Sequence, residues 1–124
     1  MLRVHIQRSG EVATLRFHGR IVNGVETATL RKAVFAQEDA SVVILDLARV
    51  IGVDAGGLGA LLELREWTQS RGIEFRLVNV SKLVHQVLKI TCLDTVFEIS
   101  TEGDPQSAVA RRRAGAVLEA EACA

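Results

Sequence analysis

One short run of the sequence has residue types that could do chemistry: Asp54-Ala55-Gly56-Gly57-Leu58-Gly59. The free N–H groups of a helix that begins here would favour contact with an anion, and the glycines let a phosphate or a second backbone approach closely. Nucleotide-binding motifs are absent, because no Lys follows the glycines and the run does not extend to GxGxxG. A nucleophile elbow would need a Ser between glycines, and none is present. The run therefore indicates a contact surface more than a reaction centre.

Catalytic and metal-binding sets are not recognisable elsewhere in the sequence. Cys92 and Cys123 form no CxxC pair and have no His at ligand spacing, which predicts neither a zinc site nor a disulfide framework. Cys92 is expected to be a buried small hydrophobe. The three histidines have no partner carboxylate or Cys and are typical of surface residues: His5, His18 and His85. We therefore predict a protein that is not an enzyme and needs no metal or other cofactor.

Length, composition and charge bound the class of protein. The 124 residues suit one domain, and 48% hydrophobic with 24% charged residues is typical of a globular chain. Fifteen basic and fifteen acidic residues leave a net charge of +0, so no global field would attract nucleic acid or acidic lipid. Apolar runs such as Val42–Leu47 are too short to span a bilayer, and no secretory signal is evident. We expect a soluble cytoplasmic protein without nucleic-acid partners or direct membrane insertion.

Hydrophobic patterning predicts the elements that position the Asp54 run. Apolar and polar residues alternate at residues 4–6 and 13–17, on either side of a turn. This pattern predicts an antiparallel hairpin with one face exposed to solvent. Val42–Leu47 is apolar at nearly every position and is typical of a central strand buried on both faces. Further strands are expected at 75–78 and 96–99, and helices at 23 to about 37, 58 to about 71 and from 81 onward. The last of these helices should begin at a Ser81 cap and bury Leu83, Val84, Val87 and Leu88.

The predicted order of these elements is β-β-α-β-α-β-α-β-α. It requires right-handed crossovers and a largely parallel sheet with an antiparallel hairpin at its edge, flanked by helices. The expected fold class is α/β or α+β with a mixed sheet. Residues 1–102 form the domain, and Asp104-Pro105 begins an Ala-rich helical tail, 103–124, which packs on the domain or on another chain. Arg111–Arg113 on that tail is typical of a solvated face.

Individual residues near the helix ends have structural interpretations. We predict that Asn23 caps the first helix with Glu26 completing a capping box, and that Asp54 caps the second. Gly59 is expected to let helix and sheet approach each other. Trp67 falls outside the apolar stripe of its helix, where it either anchors an interface or is partly buried against a neighbouring helix.

Four runs of the sequence resemble a known family: Val43–Val50, Asp54–Gly59, Leu77–Val80 and Thr91–Asp94. Together they look like the STAS domain, which sulphate transporters and anti-sigma factor antagonists share. The resemblance covers roughly residues 3–100, and the Asp-x-x-Gly-Leu-Gly turn is its more specific part. It implies a mixed sheet flanked by helices, as the patterning also predicts.

The resemblance also implies a regulatory role. In stand-alone members, a Ser in this turn is phosphorylated by a partner kinase that doubles as an anti-sigma factor, and the unphosphorylated domain binds that kinase. Those hydroxyl positions correspond here to Ala55 and Gly56, which cannot accept a phosphoryl group. The loop after the second strand, often acidic in the family, is Ile21–Gly24 here. Partner binding would then be constitutive or regulated elsewhere.

Two functions remain open at the level of sequence. The first is an anti-sigma factor antagonist-like module whose partner is a serine kinase of histidine-kinase-like ATPase fold. The second is an accessory subunit of a membrane transport complex, such as a lipid-transporting ABC system. Monomer and homodimer are both compatible with the sequence. The predicted partner-binding residues are Asn23, Gly24, Asp54, Ala55, Gly56, Gly57, Leu58 and Gly59.

Overall fold

Within residues 1–100, which the computed structural model describes, five strands form one mixed sheet in the order β1-β2-β3-β4-β5. β1 and β2 are antiparallel, and each later neighbouring pair is parallel. The predicted mixed sheet with an antiparallel edge hairpin is confirmed. The expected helical tail, 103–124, lies outside the described residues. The strands are β1 (Leu2–Ser9), β2 (Val12–Ile21), β3 (Val42–Val53), β4 (Glu74–Val78) and β5 (Glu98–Ser100).

The helices of the described region connect the parallel strands: α1 (Val25–Phe35), α2 (Ala55–Ser70) and α3 (Lys82–Ile90). Right-handed crossovers that each advance the sheet by one strand in the same direction place all three on one face, the inner face. Leu30 of α1, Leu61 of α2 and Leu88 of α3 accordingly share one core with Leu45 and Leu47 of β3. None of these helices combines the length and apolar character needed to cross a membrane.

The central strand β3 is buried on both faces in its first half, as predicted. Val43 and Leu45 face the helices, whereas Val42 and Ile44 belong to a smaller cluster on the opposite, outer face. The strand is longer than the predicted Val42–Leu47, because its pairing with β2 resumes after an irregularity near Arg16 and continues to the end of β3. This extension carries the chain to the edge of the sheet where α2 begins.

The cap of α1 corrects a prediction, because Gly24 takes the position expected of Asn23. Gly24 has φ 122° and ψ −135°, a conformation open in practice only to glycine. Its N–H donates to Thr27 Oγ1 at 3.1 Å, and that hydroxyl donates to the Gly24 carbonyl at 3.0 Å. Glu26 does not complete the box; its carboxylate lies 3.1 Å from the Met1 amino group.

The sequence interpretation of α2 and α3 is partly right. Ser81 caps α3, since its Oγ accepts from the Val84 N–H at 3.4 Å. Leu83 was expected on the buried side but is exposed, because the inner face of this short helix is set by residues one turn apart, Val84 and Leu88. Trp67 is partly buried, and its ring meets Phe35 of α1 edge-on with centroids 4.9 Å apart.

Two predictions near the last strand are wrong. Cys92 is exposed and not buried, because it is the left-handed residue (φ 61°) that ends α3, with its N–H donating to the Lys89 carbonyl at 3.1 Å. The last strand begins at Glu98 and not at Val96, because residues Leu93–Thr95 form a 3-10 turn first. Its Leu93 carbonyl accepts from the N–H groups of Val96 and Phe97.

The left-handed backbone at Cys92 predicts a stabilising substitution. Cys92→Gly should raise the free energy of unfolding by about 0.5–1 kcal/mol, since glycine adopts this conformation without a Cβ penalty. Cys92→Ala is the matched control and should change little, because it keeps a Cβ at the same φ. Urea unfolding followed by circular dichroism checks both, and equal stability of the two variants would contradict the argument.

Candidate functional site

The two loops identified from the sequence meet at one edge of the sheet. β2 and β3 are parallel neighbours, so the chain leaves both strands at the same end. Asn23 and Gly24 follow β2, and Asp54 follows β3 and leads directly into α2. We call this surface the Asp54 corner; it comprises Asn23, Gly24 and Asp54–Gly59. The fold thus brings together all eight residues that the sequence singled out.

The Asp54 carboxylate holds the corner together. Its Oδ1 accepts from the Gly57 N–H at 2.7 Å, which caps α2 as predicted. Both carboxylate oxygens lie 3.1 Å from the Asn23 nitrogen and accept from its N–H, which links the two loops. These backbone donations, from Gly57 first and then Asn23, lower the pKa of Asp54. The carboxylate therefore stays ionised and its oxygens are engaged by backbone donors.

Two glycines of the corner are required by close packing. A Cβ on Gly57 would lie 1.9 Å from the Ile21 carbonyl oxygen, and one on Gly56 would lie 2.5 Å from the Asn23 Cβ. Gly59, which we expected to have this packing role, is exposed and would have nothing within 4 Å of an added Cβ. The prediction for Gly59 is therefore wrong, because α2 approaches the strand with its first turn and has already turned Gly59 outward.

The corner divides into an exposed part and a supporting part. The backbone or side chains of Asn23, Gly24, Asp54, Ala55 and Gly59 are exposed, and Gly56 is half-buried. Gly57 and Leu58 lie underneath, and the Leu58 side chain, 9% exposed, belongs to the main core. A partner that approaches the corner from solvent would meet the first group, while Leu58 holds the start of α2 against the sheet.

The corner has no hydroxyl group between residues 54 and 59. Ala55 is the exposed first residue of α2, where a Ser would meet no obstacle from burial. A Ser at Gly56 would bring its Cβ against the Asn23 side chain and force the β2–α1 loop to move. The turn as it stands cannot accept a phosphoryl group on an alcohol.

Exposed apolar side chains lie along the same edge, and the sequence interpretation missed them. Val25, next to Gly24, is 79% exposed, and Ile51, three residues before Asp54, is 60% exposed. Leu83, 48% exposed, lies at the start of α3, which the bond from Ser81 Oγ to the Val50 carbonyl (2.9 Å) ties to the end of β3. These side chains come from α1, β3 and α3, three elements that are separate in sequence, so no local pattern identifies them as a set. We call Val25, Ile51 and Leu83 the apolar rim.

Groups suited to metal binding or acid–base chemistry are not gathered here. Throughout residues 1–100, no three His, Cys, Asp or Glu side chains are placed to hold a metal ion. His5, His18 and His85 are all exposed, and none belongs to the corner. The geometry of the corner suits a contact surface, with an ionised carboxylate that serves the backbone.

Comparison with known proteins supports the observed fold. A family model described as the STAS domain matches residues 3–105. An anti-sigma factor antagonist from Mycobacterium paratuberculosis superposes with a TM-score of 0.76 at 19% identity, covering 90% of this chain and 95% of that one. The unphosphorylated form of the Bacillus anti-sigma factor antagonist SpoIIAA superposes with a TM-score of 0.71 at 18% identity, covering 90% of this chain and 96% of that one. A sulfate transporter family protein from Wolinella succinogenes superposes with a TM-score of 0.70 at 25% identity, covering 91% of this chain and 90% of that one.

Opposite effects are expected for two neighbouring glycines. Gly57→Ala should lower the free energy of unfolding by about 3 kcal/mol, because its Cβ would collide with a backbone carbonyl that cannot move away easily. Gly59→Ala is the matched control in the same helix and should raise it by about 0.5–1 kcal/mol, since the added methyl group meets open space. Chemical denaturation measures both; a Gly57→Ala protein as stable as the wild type would refute the packing role.

The lowered pKa of Asp54 predicts a pH-dependent contribution to stability. Because the folded-state pKa lies below the ordinary 3.8, the contribution is present above pH 3.8 and is lost as the pH falls through the folded value. Asp54→Asn should therefore be less stable than the wild type at neutral pH, and the difference should shrink as the pH falls below 3.8. Unfolding curves at a series of pH values test this, and a difference independent of pH would contradict it.

Proposed function

Because the chain belongs to the STAS domain family, we propose that it is a non-enzymatic, regulatory protein-binding module of the anti-sigma factor antagonist type. The observation that carries the proposal is the Asp54 corner, where one carboxylate joins two loops into a single surface that faces solvent. Two structures with the same fold are described as anti-sigma factor antagonists, which supports assigning this chain a comparable role.

The make-up of the corner supports protein binding over small-molecule chemistry. Interface centres combine apolar anchors with few charges, and the apolar rim supplies three such side chains around the corner. Gly24, Ala55 and Gly59 add exposed positions with little or no side chain, so a partner backbone can approach closely. The ionised Asp54 carboxylate keeps these exposed positions in place through its bonds to the Gly57 and Asn23 N–H groups.

We propose an anti-sigma factor with serine kinase activity and a histidine-kinase-like ATPase fold as the partner. A phosphoserine adds about −1.5 to −2 charges, enough to separate a docked surface by repulsion and desolvation. Residues 54–59 contain no hydroxyl group that could carry that phosphate. Binding at the corner is therefore constitutive, or its control lies at another site or in the partner.

A second candidate function is an accessory subunit of a membrane transport complex. The likeness to a sulfate transporter family protein, at 25% identity over nearly the whole chain, favours it specifically. The missing hydroxyl is compatible with it too, since a permanent subunit needs no phosphorylation cycle.

Affinity capture of the intact protein from its native extract separates these functions. Recovery of a kinase-like anti-sigma factor supports the first function, and recovery of a transport ATPase with its permease supports the second. Recovery of neither class, under conditions in which the purified protein is folded, counts against both.

The partner, once identified and purified, allows the corner to be tested directly. Ala55→Glu should weaken binding by at least about tenfold, because it places a charge in the centre of the contact while remaining compatible with the first turn of α2. Gln69→Glu, an exposed change of the same charge at the far end of α2 from the corner, is the matched control and should leave binding unchanged. Isothermal titration measures both, and equal affinities for the two variants would exclude the corner as the docking surface.

A further inference from the structure

The outer face of the sheet carries a concentration of basic side chains that the Asp54 corner does not use. In the described part of the chain, four arginines and two histidines are exposed there. Each is next in sequence to a strand residue of the main core or, for His5, to Val4, which packs against that core on the inner face, so its own side chain points outward. We call this set the arginine–histidine face: Arg3, His5, Arg16, His18, Arg20 and Arg49.

Strand register makes these residues neighbours in space. His18 pairs with Arg3 on β1 and with Arg49 on β3, and His5 pairs with Arg16. Since adjacent strands lie about 4.8 Å apart, the Cα atoms of Arg3 and Arg49 are separated by about 10 Å. A shallow depression of about 250 Å³, lined by Met1, Arg3, His18 and Gly19, opens within the set. Residues distant in sequence thus form one continuous basic surface.

Much of this charge is not neutralised by the described residues. Among residues 1–100, Arg3, Arg20 and Arg49 take part in no ion pair, and Arg16 lies 3.7 Å from Asp46. The Asp46 carboxylate also accepts from Asn79 at 3.2 Å and from the Ala48 N–H, so it is shared among three donors.

The other arginine of the outer face is not available for binding. Arg76 is buried near the opposite end of the sheet and paired with Glu74 and Glu98. In a chain of zero net charge, the arginine–histidine face is therefore a local excess.

We propose that the arginine–histidine face binds an acidic, extended segment of a partner protein. Guanidinium groups pair carboxylates through two parallel hydrogen bonds, and a flat row of them on neighbouring strands fits carboxylates spaced along an extended chain. Charge complementarity selects this occupant. The proposal concerns a surface distinct from the Asp54 corner and does not rest on the anti-sigma factor assignment.

Other anionic occupants fit the face less well. A bilayer or a nucleic-acid duplex extends well beyond this local patch and would meet a molecule with no net positive charge. Binding of a single strand relies on stacking aromatics, and the aromatic rings of the described residues lie in the core or on α1 and α2. A second copy of the chain would oppose one basic face with another. A short acidic segment meets only the local positive charge.

The test uses a fluorescein-labelled ten-residue peptide of alternating glutamate and serine, titrated with the intact protein by anisotropy. The wild type should bind it with an affinity that falls as NaCl rises from about 50 to about 200 mM, as surface charge pairs do. Arg3→Glu with Arg49→Glu should weaken binding by roughly tenfold, since attraction at two positions becomes repulsion. Arg3→Gln with Arg49→Gln removes the two charges without reversing them and should weaken peptide binding less. This second variant keeps the test valid if the charge-reversal variant does not fold.

Lys32→Glu with Lys89→Glu is the matched control, because it changes net charge equally at exposed helix positions away from the outer face. It should alter peptide affinity by less than about twofold. Absence of peptide binding by the wild type, or equal losses in the reversal and control variants, would overturn the proposal. Ala55→Glu should retain peptide binding, so failure here is distinguishable from failure at the Asp54 corner.

Competing occupants are tested with the same variants. If phosphatidylserine vesicles or a DNA duplex bind the protein more tightly than the peptide does, and the Arg3→Glu with Arg49→Glu variant loses that binding, the proposal is overturned. The face would then be assigned to a membrane or to nucleic acid. A dimer seen by analytical ultracentrifugation that the reversal variant abolishes would assign the face to self-association and overturn it as well.

Discussion

The Asp54 corner depends on the hydrogen bonds that the Asp54 carboxylate accepts from two separate segments of the chain. Parallel pairing of β2 with β3 brings two chain exits side by side, but pairing alone does not order the loops that follow. The carboxylate does so by accepting from Gly57 within its own helix and from Asn23 across the gap. The start of α2 and the neighbouring loop both have backbone N–H groups that lack acceptors. The ionised Asp54 carboxylate supplies an acceptor to each of them, and these bonds stabilise its charge.

Close packing around Asp54 separates the surface of the corner from its support. Gly57 lets α2 begin directly against the Ile21 carbonyl, and Leu58 then enters the core. The same approach leaves Ala55 and Gly59 on the solvent side. Gly56 and Gly57 of this turn are therefore needed for the fold even if its exposed positions never meet a partner. The match to the family turn therefore reflects shared architecture.

Exposed charge and exposed apolar area are concentrated in different parts of the molecule and meet at the end of β3. Val25 and Leu83 of the apolar rim lie at helix starts, whereas the arginine–histidine face occupies the outer side of the hairpin and β3, where Ile51 also lies because it follows Val50 of the core. The separation follows from the topology, because α1, α2 and α3 all cover the inner face and leave outward-pointing residues of β1 and β2 to solvent. A module with zero net charge can thereby present two chemically distinct contact surfaces.

Local patterns in the sequence were enough for the order of the helices and strands up to β5, the mixed sheet and the helix caps at Asp54 and Ser81, because periodicity and capping depend on near neighbours. Only the tertiary structure decided the rest. Gly24 and Cys92 adopt backbone conformations set by the elements around them, and Gly57 rather than Gly59 packs because of where α2 meets β2. The apolar rim and the basic outer face join residues from separate strands and loops. Such sets form through strand register and loop convergence, which are long-range properties that no short stretch of sequence contains.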